Sequence, residues 1–427
     1  MKTEIGYYTV NGKIFSNKLD AVLYAKDTNA TVEWYFFDDV FTKLNWKQEP
    51  AQSLDELYRI RAQQIRDRYD YVIVFCSGGS DSNNVIRTFL NNKIRVDEVI
   101  GLAPMSGLKN WNFDPNNTHE SNTISETKFA LLPLLNEIAT ADPGIKITIN
   151  DFFEDIVNYK DDDWLYKDCG TIVTALTSHF TDVLKFPHID QIVQKGKRVA
   201  LVYGTDKPVI KLTEQGNLYI TFTDYGVNYL NMPKEREHPL VDRVLFYWSG
   251  DLPELLVKQC HVVAKALTLP AYKQIREGIK ARPTSGLTYS FADVIASQET
   301  TGQRPETKDD IWHKFMNGQI SQDSGITLKT AYQRSIVPFI YPSTYTKDLY
   351  QCQKVDAWQG FFTKDQQWLH DLHKNTRVSE MLIAGVRSLY NSVPAQYLNI
   401  KGTGFLNHMK TYHFGNIHEF DKIYSRN

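Results

Sequence analysis

Cysteine is scarce in this chain and widely scattered. Only Cys76, Cys169, Cys260 and Cys352 occur in 427 residues, with no C-x-x-C pair. That spacing argues against a zinc ribbon and provides no disulfide framework. Long apolar runs are missing too, since none approaches the ~18 residues of a membrane span. The opening Met1-Lys2-Thr3-Glu4-Ile5 carries no apolar signal segment. A soluble, cytoplasmic protein with no membrane partner is expected. Neither sign of charge is in excess: 48 Lys and Arg face 50 Asp and Glu, for a net charge of -2. No basic field covers the molecule, so nucleic acid is not indicated as a partner, and only a local basic patch stays open. There is no G-x-x-x-x-G-K-[ST] loop and no G-x-G-x-x-G turn, which removes two common nucleotide-binding loops. Internal repeats and low-complexity tracts are absent.

What is present is apolar and aromatic. Hydrophobic residues make up 42% of the chain, and 24 Tyr, 22 Phe and 8 Trp must fill cores or line pockets. The length calls for two or three domains. The most informative stretch follows the apolar run Tyr71-Val72-Ile73-Val74-Phe75-Cys76: Ser77-Gly78-Gly79-Ser80-Asp81-Ser82, then a helix from Asn83 to Leu90. A buried strand that breaks into a glycine-rich turn and opens a helix aims backbone N–H groups and a positive helix end at one point, where an anion fits. The two glycines permit torsions and close approaches that a Cβ would block. Ser77, Ser80 and Ser82 add hydroxyls. Asp81 adds a charge able to hold Mg²⁺ beside phosphates. The same hexamer also makes an ordinary strand-to-helix turn.

Three regions are expected. Residues 1–50 form a small α+β appendage: a hairpin turning at Asn11-Gly12, a helix capped at Ser16-Asn17, and a strand over Thr31–Phe37. Residues 54–270 alternate helix and strand. Ser53 and Glu56 form a capping box for a helix to Tyr69. Further strands are expected at Val96–Leu102, Ile145–Ile149 and Arg198–Tyr203, and helices at Ser125–Ala139 and Thr171–Val183. That alternation predicts an α/β fold, a doubly wound and mostly parallel sheet with ligands at the carboxyl ends of its strands. A hairpin about Gly216-Asn217 and a helix from Asp251 to Ala266 complete this part. Residues 271–427 read as mainly helical, with candidates at Leu328–Arg334, Lys364–His373 and Val378–Tyr390.

The hexamer resembles the S-G-G-x-D-S signature of the PP-loop ATP pyrophosphatases at every position, with Ser80 at the variable one. The resemblance covers roughly residues 54–270 and implies the adenine nucleotide alpha hydrolase-like fold. It implies that Ser77, Gly78, Gly79, Ser80, Asp81 and Ser82 bind ATP and that Asp81 holds Mg²⁺. It also implies an acidic residue after the fourth strand, which matches Asp206 in Gly204-Thr205-Asp206-Lys207-Pro208. Asp206 then becomes a second metal-side carboxylate, Lys207 neutralises pyrophosphate, and Gly204 and Thr205 line the phosphates. The family version in asparagine synthetase carries two acidic residues there, and Thr-Asp-Lys-Pro is also ordinary turn chemistry. Leu102 and Ala103, after the second strand, fall where the family meets the adenine ring. They suit plain packing equally.

The resemblance implies cleavage of ATP between its α and β phosphates to adenylate a carboxyl or carbonyl group, with ammonia or an amine then displacing AMP. Lys2 stands where a glutamine-using asparagine synthetase needs its cysteine, and residues 1–50 are too short for a glutaminase domain. The cysteine clusters of 7-cyano-7-deazaguanine synthase and of thiolating relatives are missing. The outline is nearest the synthetase domain of asparagine synthetase, supplied by free ammonia, an amine, or a separate amidotransferase subunit, and acting on a small-molecule acceptor. Two alternatives stay open: a non-catalytic ATP- or AMP-binding module, and a nucleobase- or tRNA-modifying enzyme. For the last, Lys329, Arg334, Lys374, Arg377, Arg387, Lys401 and Lys410 lie among aromatics, although a solvated helical face has the same pattern.

Other features have plainer readings. Asp161-Asp162-Asp163 fits a solvated loop, and His179, His188, His238 and His261 fit structural or surface roles. Lys109, Lys258, Lys265 and Arg243 are cations that other elements offer to a phosphate. Tyr247-Trp248 suits a pocket wall or a core patch, and Cys76 suits a core position.

Overall fold

The computed structural model describes residues 5–103, 130–151, 186–205, 207–224, 227, 238–272, 276, 336–344, 393, 395–397 and 408–424. Asp206, Lys109, His179, Asp161–Asp163, Cys169, Cys352, Lys329, Arg334, Lys374, Arg377, Arg387 and Lys401 lie outside them. So do the helices expected at Thr171–Val183, Leu328–Arg334, Lys364–His373 and Val378–Tyr390.

Asn-Gly turns favour two positive φ angles, and Asn11 and Gly12 take φ 50° and 79°. They join β1 (Tyr7–Val10) to β2 (Lys13–Phe15), and β3 (Glu33–Tyr35) pairs on the other side of β1, all antiparallel. Between them runs α1 (Lys18–Thr28), whose cap Asn17 accepts from the N–H groups of Leu19 and Asp20. A short helix, α2 (Asp38–Phe41), follows. The appendage packs into the rest of the chain through aromatics: Phe41 stacks on Phe222 at 5.3 Å, and Phe36 meets Trp248 edge-on at 6.3 Å.

The Ser53 cap is present, its hydroxyl accepting from Glu56 N–H at 3.2 Å, and α3 (Leu54–Arg68) buries Leu54, Leu57, Tyr58, Ala62 and Ile65. The expected strands form one five-stranded sheet with every pairing parallel, ordered β10-β7-β4-β5-β6. Here β4 is Tyr71–Cys76, β5 Glu98–Ala103, β6 Lys146–Asp151, β7 Val199–Tyr203 and β10 Val241–Leu245. Strand β4 is central and buried at all but its first residue, as its unbroken apolar run requires. Crossovers use α4 (Ser80–Asn91), α5 (Leu132–Ala141) and α6 (Pro187–Gln194). From β4 the order runs outward through β5 and β6, then returns to the other side of β4 for β7 and β10. The reversal lies between β4 and β7.

Two elements of this sheet region escaped the sequence pattern. Strand β10 carries Asp242 and Arg243 at an edge, where polar residues are tolerated and blur the apolar signal. Helix α6 is only eight residues long.

Strands β8 (Val209–Leu212) and β9 (Asn217–Thr223) form the expected hairpin, with Gly216 at φ 82°. A third strand, β11 (Met409–Asn416), joins β9 from the far end of the chain, in the region read as mainly helical. It leads into α8 (Ile417–Tyr424), which packs on α7 (Pro253–Thr268). No helix among the described residues is long and apolar enough to cross a membrane.

Candidate functional site

The hexamer sits at the carboxyl end of β4, beside the reversal in strand order. In open parallel sheets that is where strand-end loops diverge and leave a crevice. The helix begins at Ser80, with Gly79 as its cap, so Asp81 and Ser82 lie in its first turn. By geometry the N–H groups of Ser80, Asp81 and Ser82 have no acceptor within the helix.

The two glycines do different work. Gly78 takes φ +82°, and a Cβ there would sit 2.5 Å from Leu131 N and 2.7 Å from Ala130 C. Both are backbone atoms and neither can yield. Gly79 has φ -68°, open to any residue. Gly78→Ala should therefore destabilise the protein by about 2–4 kcal/mol, whereas Gly79→Ala should cost under about 1 kcal/mol. Urea unfolding of the two variants measures the difference.

The serines brace the loop from inside. Ser82 Oγ accepts from Ser77 N–H at 3.3 Å and donates to Gly79 O at 3.2 Å, and Ser77 Oγ accepts from Gly79 N–H at 3.2 Å. The Ser82 hydroxyl hydrogen is thus committed to the loop itself. Cys76 is buried, and burial pushes its thiol pKa up, which suits a core position rather than a nucleophile.

Tertiary structure brings the end of β7 onto this turn. A Cβ on Gly204 would lie 3.0 Å from Asp81 C and 3.1 Å from Ser82 N, so the two backbones nearly touch. Just beyond, Lys207 Nζ donates to Asp81 Oδ2 at 2.5 Å. Lys207 thus reaches the loop through a bond to Asp81. Leu102 and Ala103 lie in β5, opposite Asn150 and Asp151 of β6. Among the described residues no group of three or more His, Cys, Asp or Glu is placed to hold a metal ion. Asp81 is the carboxylate of the loop.

Four residues absent from the sequence reading of the loop complete its surroundings. Tyr341 donates its hydroxyl to Asp81 Oδ1. Tyr247 donates to the Asp81 carbonyl at 2.9 Å and accepts from Asn84 Nδ2 at 2.8 Å. Thr344 Oγ1 donates to Asn84 Oδ1 at 2.6 Å. Tyr247 and Tyr341 are fully buried, and burial, reinforced by the Asp81 charge, raises both hydroxyls well above the ordinary tyrosine pKa. Both therefore stay protonated and act as donors. Tyr247 was noticed as half of an aromatic pair, but its bond to Asp81 spans 166 positions and that of Tyr341 spans 260. No local pattern signals such contacts.

The remaining cations and histidines have other duties. Lys258 and Lys265 both pair with Glu49, at 2.8 and 2.7 Å. Arg243 lies in β10 opposite Leu201 of β7. Lys410 pairs with Asp38. His261 Nε2 bonds the Trp46 carbonyl at 3.0 Å, His188 lies 3.0 Å from the buried Glu98, and His238 Nδ1 accepts from Leu240 N–H. Trp248 is buried in the aromatic core.

Comparison with protein-family models, with curated proteins and with solved structures found no match for this chain.

Proposed function

We propose that the protein is an ATP-dependent, AMP-forming ligase of the PP-loop type, built on a doubly wound sheet. It would adenylate a carboxyl or carbonyl acceptor, release pyrophosphate, and couple ammonia or an amine with release of AMP. The observation that carries this reading is a complete S-G-G-x-D-S turn at the β4 end, beside the strand-order reversal, with the backbone of Gly204 against it and Lys207 in reach. The strand order is the one expected of a doubly wound sheet, whose ligands sit at such a reversal.

Each part has a task in that chemistry. The acceptor oxygen attacks the α-phosphorus, the bond to the bridging oxygen breaks, and its electron pair leaves with pyrophosphate. First-turn N–H groups of α4 and the Lys207 ammonium stabilise the departing charge. Asp81 is the residue that would hold Mg²⁺, which commonly takes one or two carboxylates and fills its other positions with water and phosphate. When bound, the ion would offset negative charge on the phosphates. The amine then displaces AMP without a protein nucleophile. The acceptor is a small molecule, and the ammonia comes free or from a separate subunit.

One observation favours a second reading, a nucleotide-binding module without turnover: both Asp81 carboxylate oxygens already have donors, Tyr341 and Lys207. The test is an incubation with α-labelled ATP, Mg²⁺ and pools of carboxylates, amines, nucleosides and RNA. AMP and pyrophosphate appearing with one pool is the expected result. ADP and phosphate would overturn the ligase, and tight ATP binding with no product from any pool would favour the module.

A further inference from the structure

The two carboxylate oxygens of Asp81 are not equivalent. Oδ2 faces Lys207, a flexible ammonium on the loop after β7. Oδ1 faces Tyr341, a neutral and fully buried donor. Tyr341 cannot drift from that position. Its ring packs against Tyr58 at 6.2 Å and Tyr247 at 5.7 Å. The preceding carbonyl, Ile340 O, accepts from Tyr58 OH at 2.5 Å, and Tyr58 in turn accepts from Gln259 Nε2 at 3.0 Å. On the other side Thr344 is tied to Asn84, one helical turn after Ser80. The segment 336–344 thus grips the first turns of α4 at both the side chain of Asp81 and the side chain of Asn84.

We propose that Tyr341, carried from the C-terminal part of the chain, is a positioning residue: it fixes Asp81 through Oδ1 so that Oδ2 alone is presented to a cation. The inference rests on the ATP-binding reading of the loop and adds to it a residue that the signature does not contain. Lys207 occupies Oδ2 in this structure. Binding of Mg²⁺ with ATP would move Lys207 from Asp81 to the phosphates, an exchange that leaves Asp81 oriented only if Oδ1 stays held. A buried tyrosine suits that task because burial keeps its hydroxyl protonated, a donor to Asp81 rather than a rival for the cation.

The experiment is calorimetric titration of the full chain with ATP over a range of Mg²⁺ concentrations and in EDTA, without an acceptor. Tyr341→Phe removes the hydroxyl and keeps the ring. The half-saturating Mg²⁺ concentration should rise about ten- to a hundredfold, as expected for losing a hydrogen bond to a charged group, with ATP binding in EDTA unchanged. Tyr412→Phe removes a hydroxyl that bonds Asp38, away from Asp81 and from the contacts that hold Tyr341, and should leave the Mg²⁺ response as in the wild type. Equal Mg²⁺ responses in wild type and Tyr341→Phe, or the same loss in Tyr412→Phe, would overturn the assignment. Asp81→Asn gives a check that leaves Tyr341 in place: it should bind ATP equally with and without Mg²⁺, and a retained Mg²⁺ response would also overturn the proposal. A wild type that binds no ATP at any Mg²⁺ concentration would instead bring down the ATP reading, and this inference with it.

Discussion

Asp81→Asn is expected to reduce AMP formation by at least about 10³-fold, the scale for removing a group that stabilises transition-state charge. The substitution keeps the shape of the side chain and an oxygen for the Tyr341 hydroxyl. What it removes is the negative charge opposite Lys207, whose side chain is only 12% exposed. That ammonium would then lose the carboxylate of Asp81, at a cost of about 1–3 kcal/mol. A fall in activity alone would therefore not separate chemistry from folding. The double variant Asp81→Asn, Lys207→Met separates them. It removes both charges, so urea unfolding should recover most of the lost stability while AMP formation stays absent. Recovery of turnover in the double variant would reduce Asp81 and Lys207 to structural partners of each other and take both out of the mechanism.

The second large effect lies far from this loop in sequence and concerns cohesion. Asp224 is completely buried and accepts from Lys18 Nζ at 2.5 Å, Tyr8 OH at 3.1 Å and the His408 N–H at 3.0 Å, with His408 Nδ1 also at 3.0 Å. Tyr8 belongs to β1, Lys18 to α1, and His408 immediately precedes β11, so one carboxylate joins the N-terminal appendage to the sheet that contains β11. Lys18 is itself only 2% exposed. Asp224→Ala would take the carboxylate away from a buried ammonium, and about 3–5 kcal/mol of stability should go with it. Pairing it with Lys18→Met should return most of that loss. Urea unfolding of the two variants measures both.

The same carboxylate sets a pH dependence. Burial alone would raise its pKa, but the Lys18 charge and the hydrogen bonds from His408 and Lys18 outweigh burial and hold it below the ordinary 3.8. A carboxyl with a lower pKa folded than unfolded contributes its full stability above about pH 4 and loses it as pH falls through the folded value. Acid unfolding of the wild type should therefore steepen below about pH 4. The Asp224→Ala, Lys18→Met variant should lack that component.

Much of the frame was legible locally. The Asn11-Gly12 hairpin, the Ser53 cap, the strand at Tyr71–Cys76 and the hairpin at Gly216 all appear where short-range rules place them, with ends shifted by a few residues. These depend on φ preferences, capping hydroxyls and apolar periodicity, which are properties of neighbours in the chain. Strand β10 was missed because an edge strand tolerates Asp242 and Arg243, and β11 because the strand it pairs with, β9, lies far away in sequence.

The sequence by itself determined the S-G-G-x-D-S turn, the position of Gly78 and the parallel strands that lead to it, because each follows from torsion limits and burial along a few adjacent residues. Only the tertiary structure decided what Asp81 faces. The approach of Gly204, the charge of Lys207 and the hydroxyls of Tyr247 and Tyr341 reach it across 123 to 260 positions. Such partners are chosen by packing a whole core and by the cost of burying a polar group alone, neither of which leaves a local trace in the chain.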